Sequence, residues 1–150
     1  MLEYGPVKPA DPIRFGWAWV ALCLALAVHV TDEALTHFLA VYNLTVQAIR
    51  QRLPFLPLPT FTFGIWLAGL ITAVILLLAL SRFAFRGARW MAPLAYVFGA
   101  SMLFNGLLHC AGSVYMGRFM PGVYSSPLLL VASVNLLLAA WRGWAVPAGR

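Results

Sequence analysis

The chain carries several long stretches that contain almost no charged residues. Hydrophobic residues make up 63% of its 150 positions and charged residues only 9%. A helix needs about 20 consecutive, mostly apolar residues to cross the hydrocarbon core of a bilayer, and several of these stretches approach that length. A soluble domain of this size would need far more polar surface, so the composition predicts an integral membrane protein.

Four of the apolar stretches have the length of membrane-spanning helices. We place them at about 17–40, 61–80, 90–116 and 127–141, which predicts an all-α, four-helix bundle that forms a single domain. The connection after the first helix is rich in proline, so we expect a loop there, with a short helix on the membrane surface near 41–53. The proline-containing leader before the first helix is expected to be extended or disordered.

Basic residues flank the apolar stretches. The formal net charge is +6, but the cations form no continuous patch, so a nucleic-acid partner is not expected. With four crossings, seven of the ten basic residues lie on the side of the termini, and Arg50, Arg52 and Arg118 lie on the other. The positive-inside rule then places both termini in the cytoplasm. We expect a protein of the bacterial inner membrane whose first partners are membrane lipids.

Two of the four acidic residues of the chain lie inside the first apolar stretch. Asp32 and Glu33 are adjacent there, and His29 and His37 bracket them. At about 100° per residue, His29, Glu33 and His37 would lie one turn apart along one stripe, with Asp32 to its side. Ionisable groups at membrane depth are costly and usually functional, so this cluster is the first candidate site.

A second polar pair lies in the third apolar stretch. Asn105 and His109 are four residues apart and therefore lie on one helical face. If the tryptophans that begin the first and third stretches mark the same interface, a rise of 1.5 Å per residue puts Glu33 and Asn105 at roughly 24 and 22 Å from it. We therefore expect His29, Glu33, Asn105 and His109 to line one cavity in the outer half of the membrane.

Imidazole and carboxylate side chains in this arrangement suit a divalent metal. Zinc accepts both kinds of ligand, and non-haem iron commonly uses two histidines and one carboxylate. The candidate ligands are His29, Glu33, His37 and His109. Zinc or iron is therefore the candidate cofactor.

The same groups can also act without a metal. Asp32 and Glu33 would then serve as general acid and base, His109 would relay protons, and Asn105 would orient a carbonyl or hydroxyl group. Both versions predict an intramembrane enzyme that acts on a lipophilic small molecule. It would be a metal-dependent hydrolase or a metal-free isomerase or cyclase, and both alternatives stay open.

Two further hypotheses involve no catalysis. His29 and His109 could be the axial ligands of a b-type haem in an electron-transfer protein, although two adjacent carboxylates would have no clear purpose there. The acids could instead form a ligand or proton pathway, although four short helices leave little room for alternating access. The enzyme is the favoured hypothesis.

Three short motifs occur in order along the chain. They are HVTDE at 29–33, NGLLH at 105–109 and FMPG at 119–122. In sequence and rough spacing they resemble the HxxEE, NxxxH and YxPG motifs of the HXXEE family of membrane proteins. The resemblance implies a small integral membrane protein with an enzyme-like polar site and no named reaction. Asp32 stands where the pattern has glutamate, and Phe119 stands where it has tyrosine.

The proline and glycine of the third motif supply a turn, because one restricts the backbone and the other is permissive. Pro121 and Gly122 fall on the same outer side as the two helical motifs, so we expect this turn to cover the mouth of the shared cavity. Tyr115 or Tyr124 is a candidate source of the hydroxyl group that Phe119 lacks.

Overall fold

The computed structural model describes residues 11–144, and this part of the chain contains helices and no strands. The helices are α1 (Pro12–Leu35), α2 (Phe38–Arg52), α3 (Phe63–Phe85), α4 (Met91–Met116) and α5 (Ser126–Trp144). Three of them, α1, α3 and α4, are long and apolar enough to cross a membrane, whereas α5 is a shorter apolar helix. The all-helical class is confirmed, and the three long apolar helices fit a membrane protein. The described residues contain five helices, so the four-helix bundle with α5 as its fourth crossing stays a prediction. The leader expected before residue 11 lies outside the described residues.

Helix α1 has a well-formed beginning and an early end. The Asp11 carboxylate accepts hydrogen bonds from the backbone N–H groups of Ile13 and Arg14 at 3.0 and 3.2 Å, which caps the helix, and Pro12 has no N–H that would need a partner. The helix ends at Leu35, whereas the sequence predicted an end near residue 40. The apolar run therefore continues past the end of the helix.

The segment after α1 forms a helix of its own. The sequence predicted a proline-rich loop with a surface helix near 41–53, and the structure has a regular helix of 15 residues, α2. Leu39 and Val46 are buried on one of its faces, while Arg50 and Arg52 near its end are exposed. A helix with one packed face and a basic, exposed end suits a position on the membrane surface.

Helix α1 is the centre of the bundle. It packs against α3 on one side and α5 on the other, and α5 packs in turn against α4. Trp19 of α1 is fully buried. Its indole Nε1 donates to the carbonyl oxygen of Leu77 in α3 at 2.8 Å, and its ring lies 5.3 Å from the ring of Phe98 in α4. Trp19 therefore connects α3 and α4 at the end of the bundle remote from the acidic pair.

Two glycines let α4 and α5 approach closely. A Cβ atom added at Gly99 or Gly106 would lie 2.9 Å from the side chain of Leu137 or Leu130, respectively. Larger residues would push the two helices apart. Helix α5 packs against both α4 and α1. Its beginning therefore lies beside the polar residues of α1.

Candidate functional site

His29, Glu33 and His109 meet in the interior of the bundle. Glu33 Oε1 lies 3.1 Å from His109 Nε2 and 3.5 Å from His29 Nε2. All three side chains are buried, and one potential ligand atom from each lies within 4.8 Å of the others. The spacing of four residues puts His29 and Glu33 on one face of α1, and α4 supplies His109. The expected meeting of the two polar clusters is therefore present.

Asn105 lies at the edge of this cluster, one helical turn before His109. Its Nδ2 is 3.4 Å from His29 Nε2, which is a long and weak hydrogen bond. The side chain is half-buried, whereas both histidines are buried. Asn105 thus faces the same cavity from a more accessible position.

The turn before α5 fixes the orientation of His109. His109 Nδ1 lies 2.6 Å from the carbonyl oxygen of Pro121. A carbonyl oxygen can only accept a hydrogen bond, so Nδ1 must carry the proton. In the neutral ring, Nε2 then presents its lone pair to Glu33.

Ser125 and Asp32 together fix the orientation of His29. Ser125 Oγ lies 2.8 Å from Asp32 Oδ2 and 2.8 Å from His29 Nδ1, and the same Oδ2 accepts from the Ser125 backbone N–H at 2.9 Å. The carboxylate can only accept, so the hydroxyl proton points to Asp32 and Oγ accepts from His29 Nδ1. Asp32, for which the sequence predicted a role as general acid or base, therefore lies behind His29 and supports it, outside the group of ligand atoms of His29, Glu33 and His109.

In their neutral forms, both imidazoles consequently direct an unprotonated Nε2 toward the same carboxylate oxygen. Three electron-rich atoms then lie together in a buried site, which is costly unless a proton or a cation lies between them. Histidines that bind a metal typically donate their other ring N–H to a carbonyl or carboxylate group. The arrangement can hold a divalent cation with two nitrogen ligands and one oxygen ligand, and positions for water or substrate stay open.

Gly122 closes the site and cannot easily be replaced. Its φ is +82°, and an added Cβ would lie 2.9 Å from His109 Cε1 and 3.1 Å from Glu33 Cγ. Its N–H donates to Thr36 Oγ1 at 3.2 Å, which ties the turn to the end of α1. The expected position of the Pro121–Gly122 turn against the cluster is therefore observed, and it requires a residue without a side chain.

His37 does not join the cluster. Because α1 ends at Leu35, the predicted stripe stops before its last member. His37 is exposed and has a left-handed backbone with φ of 59°. Within residues 11–144, the group of close ligand atoms contains His29, Glu33 and His109 without it. His37 instead lines a pocket that opens on Glu33.

The aromatic position of the third motif also lies outside the cluster. Phe119 is exposed, and its ring packs against Tyr124 with centroids 5.5 Å apart. Tyr115 and Tyr124 are exposed as well. Neither tyrosine therefore supplies a hydroxyl group to the buried site.

Ser125 is the site residue that sequence reasoning missed. Ser125 and Ser126 directly precede Pro127, which is a typical signal for the beginning of a helix. The contact with Asp32 joins residues 93 positions apart, and no local pattern indicates such a pairing.

The three motifs and Ser125 all fall within a match to a known family. The family model described as "Protein of unknown function with HXXEE motif" matches residues 19–136, and the chain therefore belongs to this family. No curated protein and no solved structure matches the chain significantly.

Gly122→Ala is expected to disturb the cluster. The added methyl group forces His109 or Glu33 to shift and also strains the backbone, so we expect a stability loss of about 1–3 kcal/mol. Thermal unfolding in detergent measures it. Gly117→Ala is the matched control, because Gly117 also has a positive φ of 61° but nothing within 4 Å of its Cβ position. Equal losses in the two variants would contradict the close contact at Gly122.

Proposed function

We propose that this HXXEE-family protein is an intramembrane enzyme, a metal-dependent hydrolase that acts on a lipophilic substrate. His29, Glu33 and His109 would bind the divalent cation. The observation that carries the proposal is the common orientation of two histidine Nε2 atoms and one carboxylate oxygen toward a single buried point. Polar groups of this kind are rarely kept within an apolar bundle without a function.

Zinc or ferrous iron fits this ligand set. Two imidazoles and one carboxylate are common at catalytic sites of both metals. Metal–ligand bonds of about 2.0–2.2 Å put neighbouring ligands of a tetrahedral site roughly 3.4 Å apart. Glu33 Oε1 lies at 3.1 and 3.5 Å from the two Nε2 atoms, so these two separations already suit a shared cation, and all three ligand atoms lie within 4.8 Å of one another.

The chemistry follows from the positions of the side chains. A bound cation supplies Lewis acidity, which polarises a carbonyl group or a water molecule. Hydrolysis bonds the water oxygen to the carbonyl carbon and breaks the bond from that carbon to the leaving group. Glu33 also lines an open pocket, so the carboxylate oxygen that does not hold the cation would take the proton from water and pass it to the leaving group. Asn105 would donate to a substrate oxygen at the edge of the site.

A metal-free acid–base enzyme is the second candidate. The 3.1 Å separation of Glu33 Oε1 and His109 Nε2 is also a hydrogen-bond distance that a single proton can satisfy. The haem hypothesis is less well supported. The rings of His29 and His109 have centroids only 4.9 Å apart, and a macrocycle would have to displace the Glu33 carboxylate from between them.

Metal content separates the two candidates. Protein purified in mild detergent is expected to contain about one zinc or iron ion per chain, because three ligands converge on one point. Glu33→Gln and His109→Ala should lose the ion, and Glu33→Gln should also lose activity. His37→Ala is the control and should keep the ion. A folded wild-type protein without metal, or metal bound equally by His109→Ala, would contradict the metal site.

Ser125→Ala is expected to weaken metal affinity about 10–100-fold, the usual effect of removing a group that orients a histidine ligand. Asp32→Asn should act similarly, and the double variant should lose little more, because both changes break one chain of hydrogen bonds. Competition with a chromogenic chelator measures the affinity. Ser133→Ala is the matched control, since Ser133 is equally buried on α5 but donates to the carbonyl of Leu129 in its own helix. Unchanged affinity in Ser125→Ala would contradict this role.

We also propose that both termini lie in the cytoplasm of a bacterial inner membrane, with α5 as the fourth span. The excess of basic residues on the side of the termini supports this orientation. A C-terminal reporter that folds only in the periplasm should therefore be inactive, and a fluorescent reporter fused at the same position should be bright. Strong activity of the periplasmic reporter would reverse the topology.

A further inference from the structure

We infer that the substrate is an amphiphilic membrane lipid whose polar linkage enters a pocket beside Glu33 and whose acyl chain lies in a groove between α1 and α3. This inference rests on the proposed function, because it assigns the substrate class of the same site. It is carried by two cavities that follow one another along α3.

The first cavity is a pocket of about 380 Å³ that opens on Glu33. Its lining comes from the end of α1, from α2 and from the beginning of α3, and it includes Glu33, His37, Ala40, Asn43, Phe61 and Phe63. Small-molecule sites typically measure about 300–1,000 Å³, so this pocket is near the lower end. It has room for a polar linkage and its neighbouring atoms, and the rest of a lipid would have to lie outside.

The depth of the pocket matches the linkage region of a lipid. Glu33 lies two residues before the end of α1, and Phe63 is the first residue of α3. The pocket thus lies where two spanning helices end, which is the boundary between headgroups and acyl chains. The lining combines polar residues, Glu33, His37 and Asn43, with phenylalanines, so it is itself amphiphilic.

The pocket wall is held in place by reciprocal hydrogen bonds. Asn43 Nδ2 donates to the carbonyl oxygen of Phe61 at 2.9 Å, and Asn43 Oδ1 accepts from the Phe61 N–H at 3.2 Å. The Tyr42 hydroxyl donates to the carbonyl oxygen of Pro59 at 3.1 Å. Helix α2 and the segment before α3 therefore form a preorganised wall, which reduces the entropy lost on binding.

The second cavity is an apolar groove of about 420 Å³ between α1 and α3. On α3 it begins at Leu67, one helical turn after Phe63, and continues to Ile75. At 1.5 Å per residue, this segment is roughly 12 Å long and runs away from the site toward the middle of the membrane. On α1 it is lined by residues that include Val30 and Ala34, on a helix face next to the one that carries Glu33. An acyl chain is the occupant that such a groove meets within a bilayer.

The test uses a photoreactive lysophospholipid, with the reactive group in its acyl chain, added to the full-length protein in vesicles of bacterial-type phospholipids. We expect labelling that an excess of unlabelled lysophospholipid competes away, with cross-links at groove residues such as Leu67 and Ile71. Ala40→Trp fills the pocket and should abolish the saturable labelling while metal content is unchanged. Ala111→Trp is the matched control, because Ala111 is also exposed but lies on α4, outside both cavities.

The outcomes distinguish this inference from the proposed function. Saturable labelling of a protein that binds no metal would support the lipid site and overturn the metal-dependent hydrolase. Metal binding with labelling that is unsaturable, or equal in Ala40→Trp and wild type, would overturn the lipid site alone. If Ala40→Trp loses its metal, the smaller change Ala40→Leu decides, and saturable labelling equal to wild type in that variant would also overturn the inference.

Discussion

The Asp32 carboxylate accepts two hydrogen bonds from Ser125, one from the backbone N–H and one from the hydroxyl group. An acid held inside an apolar bundle costs several kcal/mol unless such partners satisfy it. The same contact joins the end of α1 to the beginning of α5. The turn that it holds in place also supplies the Pro121 carbonyl oxygen that orients His109. Without this contact, His29 would lose the support of its Nδ1, and the turn that orients His109 would lose one of its hydrogen bonds to α1.

Much of the fold follows from periodicity and hydropathy. Helix α4 spans Met91–Met116, close to the prediction of 90–116, because a long apolar run between turn signals leaves few alternatives. The meeting of His29, Glu33, Asn105 and His109 was also predictable, since two stripes with a spacing of four residues lie at similar depth. Their catalytic roles stay predictions.

The end of α1 and the support of His29 by Ser125 depend instead on contacts between residues that are distant in the sequence. No proline or glycine marks the end of α1, and residues 36–43 could continue a helix as far as local propensity is concerned. The helix instead breaks at His37, whose backbone is left-handed. The Gly122 N–H donates to the hydroxyl oxygen of Thr36, the residue before this break. The support of His29 by Ser125 was equally difficult to predict from the sequence, because a serine at the beginning of a helix normally serves as a cap.

The departures from the family pattern have structural explanations. At the position where the HXXEE motif has its first glutamate, Asp32 is connected to His29 through the Ser125 hydroxyl. Phe119 lies on an exposed surface beside Tyr124, so a hydroxyl group at this position would lie outside the buried cluster. In contrast, a Cβ atom at Gly122 would come within 2.9 Å of His109 and 3.1 Å of Glu33, so this position of the turn has no room for a side chain.

The separation of Asp32 and Ser125 also affects how the protein is made. The two residues are 93 positions apart, and ribosomes add about 5–20 residues per second, so roughly 5–20 s pass between their synthesis. During that interval α1 has left the ribosome with its acidic pair still lacking the partners that α4 and α5 provide. Integration of α1 into lipid before that point leaves these acids without the hydrogen bonds that reduce their cost in the folded bundle.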